Sequence, residues 1–404
     1  MEKAEEEASQ NKNHKGAAMF ASQLKTLKRR SLLGKLGTYG LMPKYGFPTE
    51  VVELKVRSSS REAGQVDLNR DMKLALSEFA PGNQIVANKK VWTSVGIVLP
   101  TGGRKLHQFK YWSCKECQFF FAEHVVATGA SDNADTKKCH CGDDIEEERY
   151  IYPEFGFTTA TASGEQVGES RPPMKTYSDI FFHEGEEERA FTPLESFPAF
   201  SFREGGQGWI HVINSNRGND FFVCETCGFV FNVNPYFSKE KSNTHKKPWN
   251  DDKECSNTRL NPLALGYRYR TDVLELRLPD KRLEKLLLSR EETHSMWLST
   301  LYALNNAACR ALEINERDLG ACLHYGRQGH PNMVFFDTAP GGAGFVQEVK
   351  DNFIEVVKSA VGIVDKECCG EDTSCISCLR TYFNQRDHNI LRRGLARKYL
   401  HMIM

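Results

Sequence analysis

The 404-residue sequence lacks any excess of charge, its 53 lysines and arginines being matched by 53 aspartates and glutamates. A strongly basic chain signals a nucleic-acid partner through its bulk field; here such a partner must be read from local patches. Long apolar runs are missing too. Pieces such as Val95 to Leu99 fall far short of the roughly 20 apolar residues that cross a bilayer, so no membrane partner is expected. The opening residues MEKAEEEASQNKNHKG carry no basic start, apolar stretch or small-residue cleavage site, so export is not indicated and a cytoplasmic protein is expected.

Two catalytic signatures are absent as well. Without G-x-x-x-x-G-K-[ST] there is no loop to cradle nucleotide phosphates, and no ATP hydrolysis is expected from these residues. Without H-E-x-x-H there is no zinc with an open position beside a general base.

What the sequence does have is cysteine, thirteen in all. In a reducing compartment metal binding explains them better than disulfides. Cys114-x2-Cys117, followed by Cys139-x-Cys141, has the layout of a four-thiolate ribbon around one Zn²⁺, with His140 a bystander. Cys224-x2-Cys227-Gly228 is a second knuckle, with His245 and Cys255 as partners in a Cys3His set. The third cluster is Cys368-Cys369-x5-Cys375-x2-Cys378. All four are candidate ligands, but adjacent cysteines seldom both ligate one zinc, so the fourth ligand is open between the second of Cys368 and Cys369 and a more distant residue such as Cys322 or His330. Cys309 lies in a helical pattern and reads as a small core residue. Two to three structural Zn²⁺ sites are therefore expected, and no catalytic residue.

The chain reads as an α+β protein. Residues 1–40 form a polar tail and a basic amphipathic helix around Phe20, Leu24 and Leu27, and 41–106 a small β-rich region punctuated by Pro43 and Pro48. Residues 107–150 hold the first zinc ribbon, 151–219 a linker and β region whose Gly- and Pro-rich part at 160–190 reads as a long loop, and 220–265 the second ribbon. From 266 to 404 a mixed α/β zinc-binding unit follows. It opens on a strand from Asp272 with Leu274, Leu276 and Leu278, then a helix over 293–312, a strand at Met333 to Phe336, and a second helix through Val346, Val349, Phe353 and Val356. A last helix carries Leu391, Leu395 and Tyr399.

Three further patterns bear on function. Asp337, Glu348 and Lys350 reproduce the Asp…Glu-x-Lys set of Mg²⁺-dependent nucleases, although that Glu-x-Lys belongs on a strand and here falls in a helix. The turn Pro340-Gly341-Gly342-Ala343-Gly344 between a strand and a helix can point backbone N–H groups at a phosphate, or simply make a tight turn. Arg380, Arg386, Arg392, Arg393, Arg397 and Lys398, interleaved with Tyr382, Phe383 and His388, suit phosphate contacts and base stacking, or a solvated basic helix face.

Thr271-Asp272-Val273-Leu274, Asp337-Thr338-Ala339-Pro340-Gly341-Gly342-Ala343-Gly344, and Ser374-Cys375-Ile376-Ser377-Cys378-Leu379-Arg380-Thr381-Tyr382-Phe383-Asn384-Gln385 resemble the MrfA-type zinc-binding (MZB) domain. His388 and Leu391-Arg392 extend that likeness, and Leu41 to Pro48 with Arg70-Asp71 through Ser94-Val95-Gly96-Ile97 look like the region after the motor in superfamily 2 DEAD/DEAH helicases. Such domains occur in repair helicases and in DISARM and Druantia phage-defence systems, where a DrmB-like accessory subunit can carry them. The resemblance implies structural zinc at Cys375, Cys378 and at least one of Cys368 and Cys369, and DNA engagement beside a motor. The expected function is a non-catalytic zinc-binding accessory subunit that binds DNA and a superfamily 2 helicase in trans, in antiphage defence or DNA repair; the alternatives are the nuclease and a purely structural scaffold.

Overall fold

The computed structural model describes residues 51–57, 66–101, 104–114, 119–124, 136–139, 141–160, 164–166, 176–183, 190–195, 197–236, 244–278, 286–325 and 330–404, together with Ala21. The helix with Phe20, Leu24 and Leu27, the segment from Leu41 to Pro48, and Cys117 and His140 lie outside them.

Two long antiparallel strands, Phe197–Asn214 and Asn261–Arg277, organise the molecule. The sequence places a strand from Asp272; the structure begins it at Asn261 and runs it unbroken through the 265/266 position. Leu263, Leu265, Tyr267 and Tyr269 already alternate toward a buried face. The intervening arginines disguise the strand because their face is covered by aromatics: the Arg268 guanidinium lies 4.5 Å from the Phe109 ring centroid and 4.3 Å from that of Trp209.

Around this pair the main sheet orders its strands as Asp179–His183, Phe197–Asn214, Asn261–Arg277, Glu148–Ile151, Gln108–Ser113 and Phe120–His124. Its ends curl together, with the rings of Phe120 and Phe181 stacked at 4.4 Å. Phe109, Tyr111, Tyr150, Ile213 and Ala264 fill the space between. The first of these strands lies in the segment read as a loop at 160–190, which also contributes Glu165–Gln166 to a smaller sheet. Period-2 alternation fails to reveal Asp179–His183 because Phe182 packs toward one core and Phe181 against the other, so both faces are apolar.

The smaller sheet joins Glu165–Gln166, Lys90–Ile97, Phe157–Thr159, Val51–Lys55 and Asn69–Asp71, with Gln84–Ala87 at its side. Asp71 accepts a hydrogen bond from the Leu74 N–H and so caps the helix Met72–Glu78, which buries Met72, Ala75 and Leu76 between the sheets.

The C-terminal half adds helices to one face. Ser289 and Glu292 form a capping box that starts Arg290–Ala311 three residues before the sequence places it. One expected helix is two, Phe345–Asp351 and Phe353–Val364, broken at Asn352. These and Arg393–Ile403 bury Leu301, Leu304, Ala308, Phe353, Val356 and Tyr399 against Leu274 and Leu276 of the long strand and Met333 and Phe335 of Pro331–Asp337. Leu319–Tyr325, which the sequence reading passes over, pairs with the last of these. The class is α+β, as expected. Among the described residues no helix is long and apolar enough to cross a membrane.

One buried charge ties this sheet together. Glu275 on the long strand is 2 % exposed and accepts hydrogen bonds from Arg203, His324 and Asn332, each on a different strand. Burial opposes its ionisation, but the His324 bond, together with the His324 and Arg203 charges, holds the carboxyl below the ordinary glutamate range.

Candidate metal centres

The second cluster is the most enclosed. The hairpin of Phe221–Val223 and Val230–Phe231 closes over Cys224 and Cys227, with the Cys224 N–H donating to the Phe229 carbonyl at 2.9 Å and the Gly228 N–H to the Cys224 carbonyl at 2.8 Å. A second hairpin, Lys246–Lys247 and Asn250–Glu254, sets His245 and Cys255 side by side, joined by the Cys255 N–H to His245 carbonyl bond of 2.8 Å. All four side chains are buried, and one donor atom from each lies within 4.8 Å of the other three. The Cys224 and Cys255 sulfurs are 3.8 Å apart, and the Cys227 sulfur is 3.1 Å from His245 Nε2. Zn–S bonds of about 2.3 Å arranged tetrahedrally require sulfurs about 3.8 Å apart, so this donor set fits Zn²⁺. The His245 ring is stacked on Phe229 at 5.1 Å and edge-on to Phe231 at 5.8 Å, which fixes its orientation. A hydrogen bond from the Cys227 thiol pulls the Cys224 thiol well below the usual cysteine range, favouring one thiolate before any metal arrives.

This knuckle is pressed backbone to backbone onto the smaller sheet. The Ile97 N–H donates to the Gly228 carbonyl at 2.8 Å, and Gly228 has φ +77°. A Cβ there would stand 2.1 Å from the Ile97 carbonyl oxygen. Gly228→Ala is expected to cost the left-handed penalty of about 1–2 kcal/mol plus the loss of this seam. Gly142, at φ +99° with nothing near its missing Cβ, is the control: Gly142→Ala should pay the first cost only. Urea unfolding of both variants checks this, and equal losses would sink the seam argument.

In the third cluster the sulfurs of Cys368, Cys369, Cys375 and Cys378 all lie within 4.8 Å of one another. Cys378 is 3.8 Å from both Cys369 and Cys375, and its sulfur accepts the Cys375 N–H at 3.2 Å. Neither adjacent cysteine stands aside. The chain bends at 368–369, whereas only extended neighbours are forced to opposite faces. Cys322 and His330 are elsewhere: Cys322 is buried in Leu319–Tyr325 with its thiol pushed up by desolvation, and the His330 ring lies 6.4 Å from Trp297.

The structure reassigns part of the basic patch to holding this loop. Arg393, read from sequence as a nucleic-acid contact, is 3 % exposed; its guanidinium donates to the carbonyls of Val364 and Cys369 at 2.6 and 3.0 Å. Arg380 donates to Ser374 Oγ at 2.9 Å and the His388 carbonyl at 3.3 Å. The His388 Nε2 lies 3.1 Å from the Thr381 carbonyl and 3.0 Å from Asn384 Oδ1, and burial depresses its basicity. Arg386 is exposed but paired with Asp387 and Asp179, and Arg392 stands half-exposed. Asn306, which no sequence signal marks, reaches from the long helix to the Cys378 carbonyl at 2.9 Å.

Cys114, Cys139 and Cys141 form a third group within 4.8 Å, the Cys114 and Cys141 sulfurs being 3.5 Å apart. Cys117, the fourth expected ligand, is outside the described residues.

The glycine-rich turn is an anion cradle already filled by the chain itself. The N–H groups of Ala343 and Gly344 converge on Asp337 Oδ2, the latter at 2.7 Å, and that of Val346 on Oδ1 at 3.1 Å. Asp337 is fully buried, while Glu348 sits exposed on the helix that Asp337 anchors. Both oxygens of the proposed nuclease carboxylate are thus committed to backbone, and the turn has no N–H pair left for a phosphate at those positions.

Residues 300–379 match the family model of the MrfA Zn-binding domain. Druantia protein DruE of Escherichia coli (strain UMEA 4076-1) is 25 % identical over 98 % of this chain, which spans 22 % of DruE's length. Among solved structures, the DUF1998 helicase MrfA, determined alone and bound to DNA, aligns with 88 % of this chain and 34 % of its own at 11 % identity and a TM-score of 0.36. The matched residues contain all four cysteines of the third cluster.

Proposed function

We propose that this chain is a non-catalytic, zinc-stabilised accessory unit that binds DNA and works in the cytoplasm beside a superfamily 2 helicase supplied in trans, in antiphage defence or DNA repair. The observation that carries this reading is the closure of the donor sets. Cys224, Cys227, His245 and Cys255 would hold one Zn²⁺, and Cys368, Cys369, Cys375 and Cys378 another. With four protein donors each, neither centre leaves the open position a catalytic zinc needs, so the metal would supply cross-linking and no chemistry. The likeness to DruE supports the helicase and defence setting. Tyr382 and Phe383, 52 % and 36 % exposed, stand beside Arg386 and support a strand-facing surface, since stacking rings and cations together hold nucleic acid. The commitment of Asp337 to backbone N–H groups counts against the nuclease alternative.

Fluorescence anisotropy with single- and double-stranded oligonucleotides across a salt series tests the DNA part, and co-purification with a superfamily 2 helicase tests the partner. Arg392→Ala should weaken DNA binding and lower the salt slope by about one. A chain that neither retains DNA at low salt nor associates with the helicase would overturn the reading.

A further inference from the structure

An open cleft lies where the helix Met72–Glu78 meets the C-terminal unit, lined by Lys73, Tyr267, Tyr269, Arg317, Thr338 and Phe383. Two of its donors are left over. The Tyr269 hydroxyl is buried, in a residue 1 % exposed, and has no hydrogen-bond partner. A buried hydroxyl without a partner is costly unless something else accepts from it. The Lys73 ammonium makes no salt bridge or hydrogen bond among the described residues; it lies 5.7 Å from the Phe336 ring centroid and 5.9 Å from that of Phe383. Burial lowers its basicity, and the nearby Asp71 carboxylate offsets only part of that desolvation. Arg317 is exposed at the margin. The acidic residue in the lining is Asp71, whose carboxylate already caps the helix through Leu74.

Aromatic walls complete the site. Tyr267 and Tyr269 are stacked at 5.4 Å and 19°, and Phe383 separates this cleft from a second one lined by Tyr382, Gln385 and Arg386. Tyr382 meets Phe383 edge-on at 5.6 Å and is held by its hydroxyl's 2.7 Å bond to Glu78 Oε1. An anion donor set beside a fixed, partly exposed ring is the pairing that seats one nucleotide of a flexible strand, phosphate in the cleft and base on the ring.

The geometry points to a phosphate-binding site formed by Lys73, Tyr269 and Arg317, taking a backbone phosphate of a nucleic-acid strand whose base stacks on Phe383. This rests on the reading of DNA as the partner. It also places the contact away from the arginines of the third cluster, on residues that only folding brings together.

The test uses the full chain with a fluorescein-labelled oligothymidylate, and inorganic phosphate as competitor. Lys73→Gln should weaken oligonucleotide binding about tenfold at about 0.1 M salt and lower the salt slope by about one. Tyr269→Phe should weaken it about threefold with no fall in melting temperature, because the deleted hydroxyl has no partner in the free protein. This second variant keeps the proposal falsifiable should Lys73→Gln fold poorly. Phe383→Leu should weaken binding while leaving the salt slope unchanged. If the wild-type chain binds the oligonucleotide and the variants match it in affinity and slope, the cleft assignment is overturned and the DNA reading stands. If inorganic phosphate binds the cleft but the oligonucleotide does not, the strand assignment is overturned in favour of a free phosphate. If no oligonucleotide binds at all, the DNA reading falls and this proposal with it.

Discussion

Cys227→Ser is expected to release one equivalent of zinc and to unfold the second module. Structural zinc contributes an apparent binding free energy of about 10–16 kcal/mol, comparable with the total stability of about 5–15 kcal/mol of a typical domain. The module has little else to hold it: its small core is Phe222, Leu260 and the cysteines themselves, with Phe229 and Phe231 against them. Without the metal, the hairpin carrying His245 and Cys255 is held to the knuckle by the rings packed on His245 and by the Asn257 side chain's 3.0 Å bond to Thr226. The damage should also cross the seam, since the Ile97 N–H is bonded to the Gly228 carbonyl. Metal analysis by plasma mass spectrometry, with hydrogen exchange at the Ile97 amide, measures both effects. Retention of zinc, or a protected Ile97 amide in the variant, would show that the knuckle is not organised by metal.

Glu275→Gln is expected to be the most damaging substitution away from the cysteines, at about 3–5 kcal/mol, the range found when a buried ion pair loses one partner. The Arg203 guanidinium would lose the Glu275 carboxylate and face an amide in its place, while the one remaining oxygen could still accept from His324 and Asn332. The same group sets an acid limit. Because the Glu275 carboxyl is held below the range it has in the unfolded chain, its contribution is fully present above that ordinary value, near pH 4.3. It is lost as pH falls through the lower folded value. Urea midpoints at pH 7 and below pH 4 should therefore differ less between wild type and Glu275→Gln in acid than at neutrality. An equal gap at both pH values would contradict the linkage.

Cysteine spacing made the metal centres legible because a knuckle is a local object: two sulfurs two residues apart need only a turn. Cys224 with Cys227, and Cys375 with Cys378, are of this kind. His245 was reached by proximity in sequence to Cys255, and the structure places both beside the knuckle. Adjacent Cys368 and Cys369 can both face one centre because alternation holds for extended chain and the chain bends there. Arg393 looked like surface because charge usually is; what buries it is the carbonyl end of Phe353–Val364, a partner distant in sequence. The glycine turn was rightly read as able to hold an anion, but the anion is Asp337, close enough upstream to be overlooked. Least legible was the curling of the main sheet, which depends on Phe120 meeting Phe181 across the ends of six strands and has no local signature.

The measurement that bears most directly on these centres is the zinc content of the purified chain after exhaustive dialysis against metal-free buffer, taken together with its circular dichroism. At least two tightly held equivalents are expected, one for Cys224, Cys227, His245 and Cys255 and one for Cys368, Cys369, Cys375 and Cys378, with a third where Cys117 completes Cys114, Cys139 and Cys141. Chelation should remove the metal only as the fold is lost. A zinc-free chain with an intact, cooperative fold would contradict the account.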